Sequence, residues 1–363
     1  MRIGVDAREL CGRPTGVGRH LAGLLAGWSA AKPPSAHSFV LYAPQPLAAF
    51  VAVGTALPAN TTLRVVPGAG GTKWEQLSLA RAARHDRLDA FFAPGYSAPL
   101  FLNIPTVVLV HDISFISHPE WFRAREGFRR RLLTRWSSAK ASTVLTVSQT
   151  ARDEIISLLG LAPSRVRCIY PGITALQTSA PAVEREPLVL FAGSMFNRRR
   201  LPDLVESFKQ VARSRPDARL AIVGDNRTYP HQDLSAIVTA AGLQNQVTMQ
   251  SYVSDVALAE LYGRARAFAF LSEYEGFGHP PLEALKAGVA PVLVDTPVAR
   301  EVCGDAAIFV KAGDVNGIAS ALMSLLFDET VRARMLAAAP SVLSRYSWTR
   351  AAHETLEAIE CSI

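Results

Sequence analysis

Short apolar runs alternate with longer amphipathic stretches along nearly the whole chain. Runs of about four to eight apolar residues bounded by turn residues predict buried strands, and apolar spacings of three and four predict helices. Strands that alternate with helices are typical of parallel sheets, so the pattern predicts an α/β protein. The predicted strands are Arg2–Val5, Phe39–Tyr42, Leu63–Val66, Leu88–Ala93, Thr106–Val110, Thr143–Val147, Val166–Tyr170, Pro187–Ala192, Leu220–Gly224, Val247–Gln250, Ala267–Leu271 and Val289–Val294.

Helical periodicity fills several of the gaps between these strands. A chain of 363 residues is longer than one core comfortably serves, so two domains are expected. We place the first domain at 1–172, a Ser/Thr/Ala/Pro-bearing linker at 173–186, the second domain at 187–345 and a terminal helical segment at 346–363. The predicted helices are Gly16–Trp28, Trp74–His85, Gln149–Leu159, Pro202–Arg213, Leu258–Arg264, Leu282–Ala287 and a last helix capped by Ser347.

Composition narrows the class of protein. Hydrophobic residues make up 49% of the chain and charged residues 19%, which is typical of a globular protein. The sequence contains no apolar run of about 18 residues, and its start lacks the apolar core of a signal peptide. The four cysteines show no metal-binding or disulfide spacing. These features predict a cytoplasmic location in a reducing compartment.

Charge is distributed unevenly along the chain. Residues 1–181 hold 20 Lys and Arg against 10 Asp and Glu, whereas residues 182–363 hold 18 against 21. The basic first half predicts an anionic partner, either a phosphate-bearing acceptor or a membrane surface. Nucleic acid is not expected, because the sequence shows no nucleic-acid-binding module and no basic groove interleaved with aromatic residues.

The stretch Ser272–Ala284 carries the strongest chemical signal. It lies where a predicted strand ends and a helix begins, and Gly276 and Gly278 allow a sharp turn and close approach of a ligand. The N–H groups at such a helix start form an anion site. Glu275 and Glu283, with seven residues between them, flank it, and we place Glu283 in the first helical turn. The alternative is that Glu275 caps the helix and Glu283 is an acid favoured there by the helix dipole.

The segment Glu275–Glu283, followed by Gly288–Val292, resembles the signature of the retaining glycosyltransferases of family 4, also called glycosyl transferases group 1. The resemblance extends over nearly the whole chain. It implies the GT-B fold, in which two Rossmann-like domains face each other across a cleft. It also implies that the first domain takes the acceptor, the second binds a nucleotide diphosphate sugar, and the last helix crosses back to the first. No metal and no cofactor is expected.

The resemblance also implies roles for individual residues. Arg198 matches the family's Gly-x4-Arg-Lys stretch, but Arg199 replaces the usual lysine and Arg200 follows. The sequence therefore leaves open which of the three arginines holds the diphosphate. His111 matches the family's cleft histidine; the alternative is that His111 and Asp112 are a structural pair closing a turn. The implied catalytic residues are Glu275, His111 and Asp112, and the implied donor-binding residues are Gly16, Gly18, Arg198, Arg199, Tyr252, Val253, Gly276, Phe277, Gly278 and Glu283.

A basic segment in the first half admits two interpretations. Trp121–Trp136 contains six arginines and, at helical spacing, an apolar set that would form the opposite face. Such a helix either rests on an anionic membrane or lipid-diphosphate acceptor, through residues such as Arg129–Arg131, or packs its aromatic side on the core. Both interpretations remain open from the sequence.

Taken with the resemblance, these observations predict a retaining enzyme. It would move a hexose-type, mannosyl-like sugar from a nucleotide diphosphate sugar to the hydroxyl of a saccharide or lipid-linked acceptor. The expected setting is bacterial polysaccharide or glycolipid assembly, on the inner face of the membrane. The alternatives are a nucleotide-sugar epimerase of GT-B fold and a non-catalytic nucleotide-sugar binder; the pair Glu275 and Glu283 favours transfer.

Overall fold

The structure, a computed structural model, describes residues 1–12, 16–31, 36–47, 56–174 and 184–363. These residues form two compact units. The first consists of Met1–Pro119, Ala124–Gly172 and Tyr346–Ile363, and the second of Glu120–Arg123 and Ile173–Arg345. The greater part of the predicted linker, 175–183, lies outside the described residues.

A seven-stranded parallel sheet forms the core of the first unit. Its strand order is β3-β2-β1-β4-β5-β6-β7, so the order reverses between β1 and β4. The central strands are buried on both faces, as expected for a parallel sheet covered by helices. The strands are β1 Arg2–Asp6, β2 Ser38–Ala43, β3 Thr61–Val65, β4 Ala90–Ala93, β5 Thr106–Leu109, β6 Thr143–Thr146 and β7 Val166–Cys168.

Helices connect these strands and close the first unit. A π-helical turn, Trp74–Leu79, leads into α2, and 3₁₀ turns lie at Arg8–Leu10, Pro119–Trp121 and Pro163–Arg165. The helices of this unit are α1 Gly16–Ser29, α2 Ala80–His85, α3 Ser114–Ser117, α4 Ala124–Lys140, α5 Gln149–Leu159 and, at the end of the chain, α13 Trp348–Glu360.

The second unit is built on a six-stranded parallel sheet with the order β10-β9-β8-β11-β12-β13. Its strands are β8 Glu186–Ala192, β9 Arg219–Val223, β10 Val247–Gln250, β11 Ala265–Phe270, β12 Ala290–Val294 and β13 Ile308–Val310. Its helices are α6 Leu201–Ser214, α7 Leu234–Ala240, α8 Asp255–Arg264, α9 His279–Lys286, α10 Pro297–Cys303, α11 Val315–Phe327 and α12 Glu329–Leu343, with 3₁₀ turns at Asn197–Arg199 and Gly304–Ala306.

The α/β class and the predicted strands are confirmed, most of them to within two residues at each end. Three helix starts differ from the prediction. Helix α8 begins at Asp255 rather than Leu258, because Ser254 caps it by accepting a hydrogen bond from the N–H of Ala257. Helix α9 begins at His279 rather than Leu282, because Pro280 and Pro281 occupy its first turn, where their missing N–H groups cost nothing. Helix α4 begins at Ala124, since Pro119–Trp121 forms a separate 3₁₀ turn.

The terminal helix packs against the first unit through a tryptophan. Ser347 caps α13 by accepting a hydrogen bond from the N–H of Arg350, as predicted. The indole of Trp348 lies against Gly23 and Gly172, where an added Cβ would overlap it. The sequence therefore keeps glycine at both positions to admit the ring. Among the described residues, none of the helices combines the length and apolarity needed to cross a bilayer.

Candidate functional site

The second sheet brings two loops together where its strand order reverses. Strands β8 and β11 are neighbours, and the chain runs outward from them to opposite edges. In open parallel sheets, ligands bind beyond the carboxyl ends of strands at such a point. The loop after β8 carries Arg198 and Arg199, and the loop after β11 carries Glu275. The N–H of Glu273 donates to the carbonyl of Arg198 at 2.9 Å and ties the two loops together.

The carboxylate of Glu275 is held by one of its two oxygens. Oε1 accepts from Arg199 Nε at 3.0 Å and from Ser272 Oγ at 2.9 Å. Oε2 accepts no hydrogen bond from the described residues, and the side chain is 16% exposed. The alternative in which Glu275 caps the helix is wrong, because the N-cap of α9 is Gly278 and no side chain caps it. Glu275 is thus oriented, with one oxygen open to a ligand.

The guanidinium of Arg199 is held by contacts within the protein. Its NH1 donates to the carbonyl of Ser194 at 2.6 Å, and its guanidinium lies 4.6 Å from the ring centroid of Phe270. Gly193, with φ of 135°, leaves the space that this guanidinium fills. Burial lowers the pKa of Arg199, and the charge of Glu275 opposes that effect. The sequence grouped Arg199 with the phosphate ligands, but its contacts make it the residue that positions Glu275.

The three arginines of this loop differ in their partners. Arg200 forms ion pairs with Asp203 and Glu273. Arg198 is half-buried, forms no ion pair with a described acidic residue, and its buried Nε has no hydrogen-bond partner among the described residues. Its guanidinium lies 4.4 Å from the ring centroid of Phe196. Arg198 is therefore the arginine of this loop whose charge is open to a phosphate.

The glycine turn before α9 leaves room for a ligand. Gly278 adopts φ of 95°, and a Cβ added there would meet no atom within 4 Å. Gly276 is buried, and the Phe277 side chain, 5% exposed, points inward to line a small cavity with Leu293 and other apolar residues. Phe277 can therefore offer a ligand mainly its backbone.

Glu283 lies one turn further along α9 than predicted. It is the fifth residue of the helix, so the first turn contains no acid. The placement in the first turn is therefore wrong, because the helix begins three residues earlier. The alternative based on the helix dipole fails with it, since that effect falls off within the first turn. The Glu283 side chain is half-buried.

Tyr252 and Val253 lie apart from the reversal point of the second sheet. They follow β10, an edge strand, and β9 separates β10 from β8. Tyr252 is 60% exposed and Val253 is half-buried. Their role toward a nucleotide base stays a prediction.

In the first unit, His111 and Asp112 follow β5, next to the strand β4 that borders the reversal point of that sheet. Nε2 of His111 lies 2.9 Å from the carbonyl of Pro94, which makes Nε2 the protonated nitrogen and Nδ1 an acceptor. Burial lowers the pKa of His111. Asp112 accepts from the Tyr96 hydroxyl at 2.9 Å and from the backbone N–H of Ser114 at 2.9 Å. Asp112 thus has the turn-closing role that the sequence left as an alternative.

The glycine loop of the first unit is described in part. Gly16 opens α1 and is exposed, with no atom within 4 Å of an added Cβ. Gly18 is the third residue of α1 and is buried, so it belongs to the helix rather than to the turn. Residues 13–15, which would form the turn, lie outside the described residues. Phosphate binding by this loop stays a prediction.

Sequence reasoning missed Ser272 and Phe196. Ser272 lies two residues after the buried strand β11, and its position at the reversal point was a signal that such a hydroxyl can serve the site. Phe196 precedes Arg198 by two residues, but that spacing does not predict contact between the two side chains. The described residues contain no cluster of three or more His, Cys, Asp or Glu side chains arranged to hold a metal ion. Metal-independent catalysis stays a prediction.

Two family models match the chain. The model described as "Glycosyl transferases group 1" matches residues 173–342, and the model "Glycosyltransferase Family 4" matches residues 14–175. Together they cover nearly the whole chain. The chain belongs to glycosyltransferase family 4. The family resemblance drawn from Glu275–Glu283 is confirmed, and this glycosyltransferase is an enzyme rather than a non-catalytic binder.

Known proteins similar to this glycosyltransferase include two curated mannosyltransferases. The O-antigen chain mannosyltransferase B of Escherichia coli is 27% identical over 74% of this chain and 73% of its own length. The GDP-mannose:cellobiosyl-diphosphopolyprenol alpha-mannosyltransferase of Xanthomonas oryzae pv. oryzae is 26% identical over 67% of this chain. The latter match spans 64% of that relative, less than two thirds of its length.

The fold is shared with a solved structure. Anabaena Alr3699/HepE, solved in complex with UDP and glucose, has a TM-score of 0.76 and 18% identity over 99% of each chain. At that identity the likeness shows the fold alone. The two parallel-sheet units of this glycosyltransferase have the predicted GT-B fold.

Proposed function

We propose that this glycosyltransferase moves a mannosyl group from a nucleotide diphosphate sugar to a hydroxyl of a saccharide or lipid-linked acceptor, with retention at the anomeric carbon. The setting would be bacterial polysaccharide assembly. The observation that carries the proposal is the Glu275 carboxylate, fixed through Oε1 and open at Oε2, beside the start of α9 and Arg198. The names of the two mannosyltransferase relatives support the choice of sugar.

The proposed site neutralises a leaving diphosphate without a metal. Arg198 supplies a positive charge, and the peptide dipoles of α9 place positive potential at its start, although Pro280 and Pro281 have no N–H group to donate there. Fixed charges and dipoles aimed at developing negative charge stabilise a transition state because they need no reorganisation during the reaction. We propose that this pair performs that task here.

Glu275 and His111 would act on the sugar itself. Oε2 of Glu275 would contact the transferred sugar or shield positive charge that develops on it. His111 of the first unit would accept a hydrogen bond from a sugar hydroxyl at Nδ1, since Nε2 donates to Pro94.

Replacing Glu283 with Gln is expected to raise the Kd of the donor nucleotide by about tenfold, because a carboxylate would lose charge-assisted bonds to ribose hydroxyls. Isothermal titration with GDP and UDP measures it. Glu260→Gln, in α8, is the matched control and should leave the Kd unchanged. An unaltered Kd in Glu283→Gln would remove the ribose role.

Helix α4 of the first unit carries exposed aromatic side chains that suit contact with a lipid surface. Helix α4 exposes Phe128 by 61% and Trp136 by 52%, beside the exposed Arg129 and Arg135. Its buried residues are Gly127, Thr134, Ser137 and Ser138. The prediction of separate apolar and basic faces is therefore wrong, and so is the alternative that buries these aromatic rings on the core. These small residues face the core and allow α4 to pack closely against it.

Neighbouring elements extend this basic apolar surface. Phe101 and Leu77 are exposed by 65% and 66%. Arg129 NH1 donates to Thr72 Oγ1 at 3.1 Å, and Lys140 donates to the carbonyl of Leu100, which places these elements side by side. Exposed rings flanked by cations match an interface of acyl chains and anionic headgroups. We propose that this surface holds the enzyme on the cytoplasmic face of an anionic membrane, where a lipid-linked acceptor resides.

The variant Phe128→Ala/Arg129→Ala/Trp136→Ala is expected to lose at least about tenfold in affinity for vesicles containing anionic phosphatidylglycerol at low salt. Wild-type binding should weaken as salt screens the headgroups. Vesicle cosedimentation measures both. Leu158→Ala, an exposed apolar position on α5, serves as the control. If the wild-type protein does not bind anionic vesicles, the membrane proposal fails and α4 is an ordinary surface helix.

A turnover assay tests the proposed function. The enzyme is incubated with GDP-mannose, or with each of a set of nucleotide sugars, and a polyprenyl-diphosphate saccharide. Transfer releases the nucleoside diphosphate and yields an extended saccharide with the donor's anomeric configuration. An isomerised nucleotide sugar without transfer would instead indicate an epimerase, and neither product from any donor would contradict the proposal.

A further inference from the structure

A tryptophan from the first half of the sequence belongs to the candidate site in the second unit. Glu120–Arg123 is part of that unit, although the residues on both sides of it belong to the first. The sequence assigned Trp121 to the basic helix, but it ends a 3₁₀ turn instead. Its ring centroid lies 6.0 Å from that of Tyr274, edge to face at 69°. Tyr274 directly precedes Glu275, so Trp121 is a neighbour of the loop that carries the carboxylate.

Trp121 also lies beside the guanidinium of Arg198. Cζ of Arg198 is 5.8 Å from the Trp121 ring centroid and 4.4 Å from that of Phe196. Both distances are within the range of cation–π attraction, which for a partly desolvated guanidinium is a significant orienting force. Trp121 and Phe196 therefore fix the plane of the guanidinium without using its N–H groups.

This arrangement differs from that of the next two arginines. Arg199 forms an ion pair with Glu275, and Arg200 forms ion pairs with Asp203 and Glu273. Arg198 is held by rings, has a buried Nε that makes no hydrogen bond to a described residue, and keeps its N–H donors for a ligand. A planar donor fork that is already oriented loses less conformational entropy when it binds a phosphate.

We propose that Trp121 is a positioning residue for the donor diphosphate: its ring orients Arg198 so that the guanidinium meets the phosphate oxygens. The proposal rests on the proposed function, in which Arg198 binds the diphosphate. It assigns to the second unit a residue that is distant in sequence from both loops of the site.

The test is isothermal titration of GDP and of UDP into wild-type enzyme and variants. Trp121→Ala is expected to raise the Kd of the nucleotide that binds by about tenfold, the loss of one desolvated cation–π contact and of the orientation it gives. Trp121→Phe should stay within about threefold of wild type, because it keeps an aromatic face. Thermal unfolding checks that both variants fold.

A mutant cycle separates positioning from general structural damage. In an Arg198→Ala background, adding Trp121→Ala should change the Kd less than twofold, because the group it orients is gone. Phe327→Ala is the matched control. This variant removes a ring whose centroid lies 3.5 Å from Cζ of Arg215, so it also breaks a cation–π contact. The contact is remote from the site, because Arg266, near the start of β11, donates to the carbonyl of the neighbouring Leu326, whereas Glu275 follows the end of that strand.

Three results would overturn the proposal. The first is an unchanged Kd in Trp121→Ala, and the second is a loss in Trp121→Phe as large as in Trp121→Ala. The third is an equal effect of Trp121→Ala with and without Arg198. In each of these the wild type still binds nucleotide, so the proposed function stands. Wild-type enzyme that binds no nucleoside diphosphate, GDP and UDP included, overturns the proposed function and this proposal together.

Discussion

Replacing Glu275 with Gln is expected to lower kcat by about 10²- to 10³-fold, while the Kd of the nucleoside diphosphate stays within about twofold. The amide keeps the shape of the side chain and can still accept from Arg199 Nε and Ser272 Oγ. What it loses is the negative charge at Oε2, which the proposed mechanism places against the transferred sugar. Steady-state turnover with a verified donor and acceptor, together with nucleotide titration, measures the two quantities.

The neighbouring acid provides the control for this prediction. Glu273 lies on the same loop, but it pairs with Arg200, so Glu273→Gln should retain most of its turnover. His111→Ala should also lower kcat severely, and the double variant Glu275→Gln/His111→Ala should lose less than the product of the single losses. Near-normal turnover in Glu275→Gln would show that Glu275 only braces its loop.

Adjacent arginines are expected to give opposite results. Arg198→Ala should raise the Kd of the nucleoside diphosphate about 10- to 100-fold, because it removes charge-assisted bonds to phosphate. Its free energy of unfolding should change little, because Arg198 forms no ion pair with a described residue. Arg199→Ala should instead lower the free energy of unfolding by about 3 kcal/mol, because it leaves the Glu275 carboxylate largely buried without its cation.

Denaturant unfolding and nucleotide titration on both variants distinguish these effects. Arg199→Ala should also lose turnover, since Glu275 loses its orientation, but it should bind the nucleoside diphosphate more tightly than Arg198→Ala does. A shared phosphate role, as the sequence suggested, would give both variants similar losses of affinity and similar stabilities. That outcome would contradict the separation seen in the side-chain contacts.

The location of the site could be predicted from the sequence, whereas the different roles of its adjacent arginines could not. Arg198 and Glu275 each follow a short buried strand, and strand ends at a reversal of sheet order meet in space. Which arginine stays open depends on contacts with Phe196, Ser194 and Glu275, which no periodicity encodes. The position of Trp121 could not be predicted either, because it depends on where the chain leaves one unit and enters the other.

Other differences have local physical causes. The prediction placed α9 at Leu282–Ala287 with Pro280 and Pro281 suited to its first turn; the structure has the prolines in that turn but begins the helix at His279. Residues 304–345 received no predicted element. Helix α11 lies there, and its buried residues Ile318, Leu322, Leu325 and Leu326 fall at i, i+4, i+7 and i+8, the spacing of one helical face, so this helix was predictable from the sequence.

A thermal-unfolding panel of nucleoside diphosphate sugars, including GDP-mannose, on wild-type enzyme and Arg198→Ala tests whether Arg198 holds a nucleotide-sugar donor. A ligand that binds the folded state raises the melting temperature by mass action. We expect at least one nucleotide sugar, GDP-mannose first, to stabilise the wild type, and Arg198→Ala to lose most of that stabilisation. Wild-type enzyme that no nucleotide sugar stabilises, or an equal rise in Arg198→Ala, would contradict this expectation.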